Sequence, residues 1–357
     1  MITLDELRIN INNVDDELLI LLNKRMEFVK QVGYLKQTDG SSIYRPERER
    51  QIIQRLASQS KGALTENAIE ALFMELFAVS RNLELPEKIA YLGPEGSYTH
   101  QAAESRFGAM SAYLPLNSIE AVFKVLENKE AKYGVVPIEN NTEGAVGATL
   151  DCLGKYSALI IAEVYLDIHH SFATLSEDLK DIKVIYSHPQ GYNQCKNFLE
   201  EHFLQDIEFI PTRSTAAAAM RAKDDKHAAA ICSHIAAKIH GLPIHFEKIE
   251  DNLANRTRFL ILSDFKNEKG AQDKTSILAQ TEDKPGALLE FLQSFEDNKI
   301  NLTKIESRPI KDKAFKSLFY IDFQGHIDDD NIQNIIKTYP NKIKWLGSYV
   351  SGEKDEV

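Results

Sequence analysis

The spacing of hydrophobic positions changes character twice along the chain. From residue 4 to about 39, Leu4, Leu7, Ile11, Val14, Leu18, Leu21, Leu22, Val29, Val32 and Leu35 recur at three- and four-residue steps with no proline among them. That period lays an apolar stripe along one long helix. "TDGSS" breaks it, and Pro46 then opens a second helical stretch, "PERERQIIQRLASQ", where a missing N–H costs little. "KGALTENAIEALFMELFAVSRNLEL" supplies a third. From Pro86 and Lys88 the texture shortens to apolar runs such as "KIAYLG", "YGVVPI", "ALIIAEVYL", "DIKVIYS" and "HAAAICS", separated by helical stretches. This is the α/β alternation. "KNEKGAQDK" reads as a linker, and after it come strand, helix, strand, strand, helix and strand. That βαββαβ order is the ferredoxin-like unit. The pattern therefore predicts an all-helical part, an α/β part and a small α+β part.

Composition narrows what these parts do. At 357 residues the chain is too long for one ordinary core. A formal net charge of -11 argues against a general nucleic-acid binder, so local basic clusters point to small anionic ligands. No apolar run approaches membrane-spanning length, and Met1 leads into amphipathic sequence rather than a signal segment. Cys152, Cys195 and Cys232 are far apart and odd in number, which fits a reducing cytoplasm better than a disulfide framework. His100, His169, His170, His188 and His234 lack metal-like spacing, so no catalytic metal is expected.

In the helical part, Arg25 and Lys36 share a helix face about 16 Å apart, a gap that two long side chains close on one small ligand. Arg8 lies roughly 25 Å from Arg25 on another face. Either Arg8 is a surface residue, or a second chain brings its own Arg8 alongside. "LRININNVDDELLILLNKR", "VGYLK" and "PERERQI" resemble the all-helical chorismate mutase family over about residues 1–86. The resemblance implies a homodimer of interlocked helices, or a higher homo-oligomer. It implies that Arg25 and the partner's Arg8 hold two carboxylates, that Lys36 and Arg48 hold polar groups and the ether oxygen, and that Glu49 meets the ring hydroxyl with Ser80 nearby. Arg50 falls on the solvated face and Arg45 has no assigned role. Rearranging chorismate to prephenate is pericyclic, so it needs positioned cations and donors rather than a nucleophile or cofactor. Some members carry glutamine where this chain has Glu84. A carboxylate donates a hydrogen bond only when protonated, so mutase activity is expected to fall as pH rises.

The α/β part holds polar clusters after strand-like runs: "YLGPEGSYTHQAA", "VPIENNTEGAVG", "YSHPQGYNQC", "PTRSTAAAA" and "NRTRFLIL". Strand-end loops are where open α/β sheets build ligand sites. The first cluster lacks the G-x-G-x-x-G spacing of a dinucleotide loop, so no nicotinamide site is expected. "GPEGSYT", "PIENNTEG", "SHPQ" and the triplet Thr257–Phe259 together resemble prephenate dehydratase over about residues 88–265. The resemblance implies two α/β lobes like those of a periplasmic binding protein, with the site in the cleft. It implies catalysis by Thr257, and substrate contacts from Thr99, Glu139, Asn140, Ser187, His188, Gln190, Arg258 and Phe259. Arg258 is expected to hold a carboxylate, and Glu139 and His188 are possible proton sources. Ser97, Tyr98 and Asn141 depart from common family choices. A threonine hydroxyl is a poor acid, so Thr257 reads as a positioned donor to the departing hydroxide.

"DKPGALLEFL" and "IESRP", on the βαββαβ frame, resemble the ACT domain over about residues 275–350. That implies phenylalanine bound near Gly286, Ala287, Leu288, Glu306, Ser307 and Arg308, acting as a feedback signal. The sequence thus predicts a cofactor-independent bifunctional enzyme taking chorismate through prephenate to phenylpyruvate. Two alternatives stand beside it: arogenate as dehydratase substrate, or an amino-acid-sensing protein with a degenerate helical module.

Overall fold

The computed structural model describes residues 2–39, 44–84, 87–282, 284–309 and 317–352, which fall into two compact units. The boundary expected at Pro86 lies outside the described residues. The helical unit contains α1 (Leu4–Asp39), α2 (Pro46–Gln59) and α3 (Glu66–Glu84). Thr3 and Glu6 open α1 reciprocally: Glu6 N donates to Thr3 Oγ1 at 3.2 Å, and Thr3 N donates to Glu6 Oε2 at 2.8 Å. This capping box satisfies two donors that a helix start leaves over. Gly33 sits where α1 crosses α3; a Cβ there would lie 3.0 Å from Glu84 Cα. Only glycine lets the two backbones come so close. Most of the apolar stripe of α1 is exposed, with Leu4, Ile11 and Leu21 each at least 60% accessible.

The second unit begins with β1 (Lys88–Leu92), α4 (Tyr98–Phe107), β2 (Ala112–Leu116), α5 (Ile119–Glu127), β3 (Tyr133–Asn140), β4 (Gly144–Ala145), α6 (Gly147–Lys155) and β5 (Leu159–Asp167). The chain then leaves for a second sheet. That sheet is built from β6 (Ser171–Thr174), β7 (Val184–Ser187), β8 (Glu208–Pro211), β9 (Ala228–Cys232) and β10 (Ile244–Glu247). Between these strands lie α7 (Pro189–Asn193), α8 (Lys196–Glu201), α9 (Thr215–Ala222) and α10 (His234–Ile239). Finally it returns to the first sheet as β11 (Arg256–Ser263). The first sheet runs β2-β1-β3-β11-β5, with β4 paired to β3; the second runs β10-β6-β9-β7-β8. β11 is antiparallel to both its neighbours, β3 and β5. Two α/β lobes joined by an outgoing and a returning segment result, as the family resemblance implies.

The last part is β12 (Asp273–Ala279), α11 (Ala287–Asp297), β13 (Leu302–Pro309), β14 (Ser317–Gln324), α12 (Asp330–Thr338) and β15 (Ile343–Val350), in the predicted βαββαβ order. Its sheet runs β13-β14-β12-β15. It shares a core with the first lobe: Leu278, Tyr320 and Leu346 join Ile160, Leu260 and Leu262 in one buried cluster. Gly347 (φ +149°) permits the contact, because a Cβ there would fall 2.0 Å from the Ile160 carbonyl oxygen.

Candidate active and regulatory sites

In the helical unit the Gly33 crossing brings Lys36, one turn further along α1, to the end of α3. Lys36 Nζ lies 3.0 Å from Glu84 Oε2, both side chains mostly buried. Arg25 donates to Ser80 Oγ at 2.6 Å and lies over the Phe77 ring. Burial lowers the pKa of the Arg25 guanidinium, and the charge of Glu84 opposes that effect. Arg25, Lys36, Ser80 and Glu84 thus gather on the α1–α3 seam. Glu49 is buried, its Oε1 accepting from Arg81, while Oε2 has no hydrogen-bond partner among the described residues. Arg48 is exposed, and Arg50, expected on the solvated face, is half-buried. Arg8 is 67% exposed and pairs only loosely with Asp5, at 3.6 Å.

In the second unit, Thr257 and Asn140 are register partners at the ends of β11 and β3. Thr257 is buried, and Asn140 Nδ2 donates to Thr257 Oγ1 and to Asn255 Oδ1, each at 2.8 Å. The amide is held in that orientation from its other end, where Oδ1 accepts from the backbone N–H groups of Thr142 and Glu143 at 2.9 and 3.1 Å. A threonine oxygen that accepts from an amide keeps its own proton for donation elsewhere. A bulge between Arg258 and Phe259 adds curvature beside this pair. Phe259 is buried, and Thr99 is buried in the first turn of α4.

The second lobe reaches toward the first at three places. Ser187 ends β7 fully buried, His188 caps α7 by accepting from Gln190 N at 3.4 Å, and Gln190 Nε2 donates to Glu143 Oε1 of the first lobe. Ser233 Oγ donates to Gly96 O at 2.7 Å. The outgoing segment is held by Tyr98, whose hydroxyl donates to His169 O at 2.9 Å and lies 2.7 Å from His170 Nδ1. Gln194 Oε1 lies 2.9 Å from the other ring nitrogen of His170, and Glu250 accepts from the His170 backbone at 2.8 Å. Burial lowers the pKa of His170 despite the opposing pull of Gln194 and Glu250.

Two expected substrate contacts are corrected by the pleat of the sheet. Neighbouring residues on a strand point to opposite faces. Arg258 therefore faces away from Thr257, donating to Glu163 of neighbouring β5 at 2.7 Å and, on the C-terminal domain, to Asp322 at 2.6 Å and the Tyr349 hydroxyl at 3.0 Å. It is not a carboxylate grip in the cleft. Glu139, the register partner of Arg258, faces the same way and pairs with Lys304 at 2.5 Å, so it is no proton source beside Thr257.

On the C-terminal domain, Gly286 takes the left-handed conformation (φ +84°) just before α11, with Ala287 buried and Leu288 half-buried behind it. That backbone is where glycine is favoured. Glu306 and Ser307 follow on β13, pointing to alternate faces. Arg308 departs from its expected position near a ligand. Its guanidinium binds Asp151 of α6 through two bonds of 2.9 and 3.0 Å and lies against Gly147.

Sequence reasoning missed the buried ionic group around Arg258, which includes Glu163, Lys274 and Asp322. Lys274 Nζ donates to Glu163 Oε1 at 2.9 Å, and Ser276 Oγ to Asp322 Oδ1 at 2.5 Å. The signal was a carboxylate flanked on both sides by apolar residues, Glu163 in "LIIAEVYL" and Asp322 in "FYIDF". The partner of Glu49, Arg81, was missed as well.

Three family models match in succession: chorismate mutase type II over residues 7–85, prephenate dehydratase over 89–267, and ACT domain over 275–341. The bifunctional chorismate mutase/prephenate dehydratases of Aquifex aeolicus and Pseudomonas aeruginosa are 37% and 38% identical, each over 97% of this chain and 97% of their own. Among solved structures, the prephenate dehydratase of Arthrobacter aurescens in complex with L-Phe superposes with a TM-score of 0.68 at 33% identity. The match covers 76% of this chain and 92% of that one. The prephenate dehydratase of Staphylococcus aureus gives 0.63 at 26% identity, covering 73% and 99%.

Proposed function

The chain belongs to the family of bifunctional chorismate mutases/prephenate dehydratases, and we propose that it converts chorismate to prephenate in its helical unit and prephenate to phenylpyruvate in its two-lobed domain. Phenylalanine bound to the C-terminal domain restrains the second step. One observation carries the dehydratase reading: Thr257 Oγ1 accepts from the oriented amide of Asn140 at 2.8 Å. The threonine proton is thereby left for the hydroxyl that departs as carbon dioxide is lost and the ring becomes aromatic. A donor aimed at developing negative charge is worth about 10²–10³ in rate where water is excluded. From the other lobe Gln190 reaches Glu143, and His188, two residues before it, is the proposed proton source.

The mutase reading rests on the α1–α3 seam. Arg25 and Lys36 supply cations for a dicarboxylate and for charge on the breaking ether bond, and Ser80 orients Arg25. Glu49 Oε2 is an acceptor for a ring hydroxyl. The exposed stripe of α1 supports a homodimer, since burying large side chains is worth about 1.5–3 kcal/mol each. The second copy then brings its own Arg8 to Arg25. Feeding chorismate and following prephenate and phenylpyruvate separately tests both steps, and adding phenylalanine tests the restraint. Prephenate accumulation without phenylpyruvate would remove the dehydratase reading. Turnover of arogenate but not prephenate would change its substrate.

A further inference from the structure

The sensor strand β13 rests directly on the catalytic lobe. Its alternation puts Lys304, Glu306 and Arg308 on one half-buried face. Lys304 binds Glu139 at 2.5 Å, and Arg308 grips Asp151. Glu139 stands opposite Arg258 in the β3–β11 register, and Arg258 is held by Asp322 of β14 at 2.6 Å. The next register pair along the same two strands is Asn140 and Thr257, facing the other way. Through the thickness of one sheet, the pair that carries the dehydratase chemistry is backed by a pair tied ionically to the regulatory domain.

The two ties differ in what they can do. Arg258 and Asp322 are 4% and 1% exposed, so separating them would leave an uncompensated buried charge. Lys304 and Glu139 are 17% and 33% exposed, so water reaches this pair and it separates at less cost than the inner one. The inner tie holds the domains together; the outer one can respond. Glu139 is bonded in sequence to Asn140, so a shift of Glu139 changes the aim of the amide that holds Thr257.

We propose that Glu139 is a positioning residue for the dehydratase reaction, and that Lys304–Glu139 is the contact through which an amino acid bound on the β13 domain reaches Thr257. This rests on the function proposed above. In the full-length protein, Lys304→Met is expected to leave dehydratase kcat without phenylalanine within about two-fold of the parent. It should retain the rise in melting temperature with phenylalanine, yet weaken inhibition at least ~10-fold, within the usual range of coupling between sites. The charge swap Lys304→Glu with Glu139→Lys is expected to restore inhibition, which a contact serving only to dock the domains would not do. Prephenate turnover without phenylalanine, with the melting temperature, reports that the second unit of each variant is folded. Undiminished inhibition in Lys304→Met overturns the proposal, as does joint loss of inhibition and of the phenylalanine-induced melting shift. A parent protein with no phenylalanine inhibition would instead remove the functional reading, and this contact with it.

Discussion

The helical unit and the two-lobed domain assemble their candidate sites in opposite ways. In the helical unit the charged groups sit on one long helix whose apolar stripe is open, and Arg8 lies too far along it to meet Arg25. In the two-lobed domain Thr257, Asn140 and Asn255 are locked to one another within one chain. On the function proposed above, the first site needs a second copy to finish it, whereas the second is finished by folding. An extended helix supplies reach but no enclosure; two lobes supply enclosure with no second chain.

The comparison is broken most directly by mixing variants. Arg8→Ala and Arg25→Ala are each expected to lower mutase kcat/KM by at least ~10²-fold, through loss of charge-assisted bonds to the substrate. Mixed and allowed to exchange subunits, the two chains should recover about a quarter of parent mutase activity, because half the dimers are hybrids with one intact site. No recovery means that the mutase site does not cross chains. Dehydratase turnover of supplied prephenate should stay at parent level throughout.

Thr257→Val should lower dehydratase kcat by about 10²-fold with mutase unchanged, and Thr257→Ser should recover most of the loss. Full turnover in the valine variant would end the donor role. A smaller effect is expected at Glu84, which accepts from Lys36 at 3.0 Å. Glutamine donates at every pH, so Glu84→Gln should flatten the fall of mutase rate as pH rises, read from a pH–rate profile. An unchanged profile would put the pH dependence elsewhere.

The smallest effect belongs to His170. Burial holds its pKa below the ordinary 6.5, so the unfolded chain takes up a proton first as pH falls. Stability from the neutral ring is present above pH 6.5 and is lost as pH drops from there through the folded-state pKa. His170→Gln should make denaturant unfolding of the two-lobed domain less sensitive to acid across that window. The helical unit's transition should not respond.

Much of this was legible in the sequence. Three textures marked three parts, and strand-end polar clusters marked the cleft. The alternation along "NRTRF" already required Thr257 and Arg258 to face opposite ways. It did not reveal that the far face would be covered by a third layer, where an arginine has buried carboxylates to answer. Arg308 was misread for the same reason, since a strand's sequence carries its pleat but not what lies against it. The Gly33 crossing was equally silent, because a glycine in a helix shows its meaning only when another backbone arrives.

β11 has a consequence for synthesis. It lies between β3 and β5 in the first sheet and is the last strand of that sheet to emerge from a ribosome. Until residue 263 is made, β3 and β5 are edges with no strand between them, and unpaired edges invite pairing with other chains. The helical residues are complete long before that point. A translation pause between residues 167 and 256 would therefore prolong the most aggregation-prone state of the chain, and a frameshift there would yield a mutase trailing an unfinished sheet.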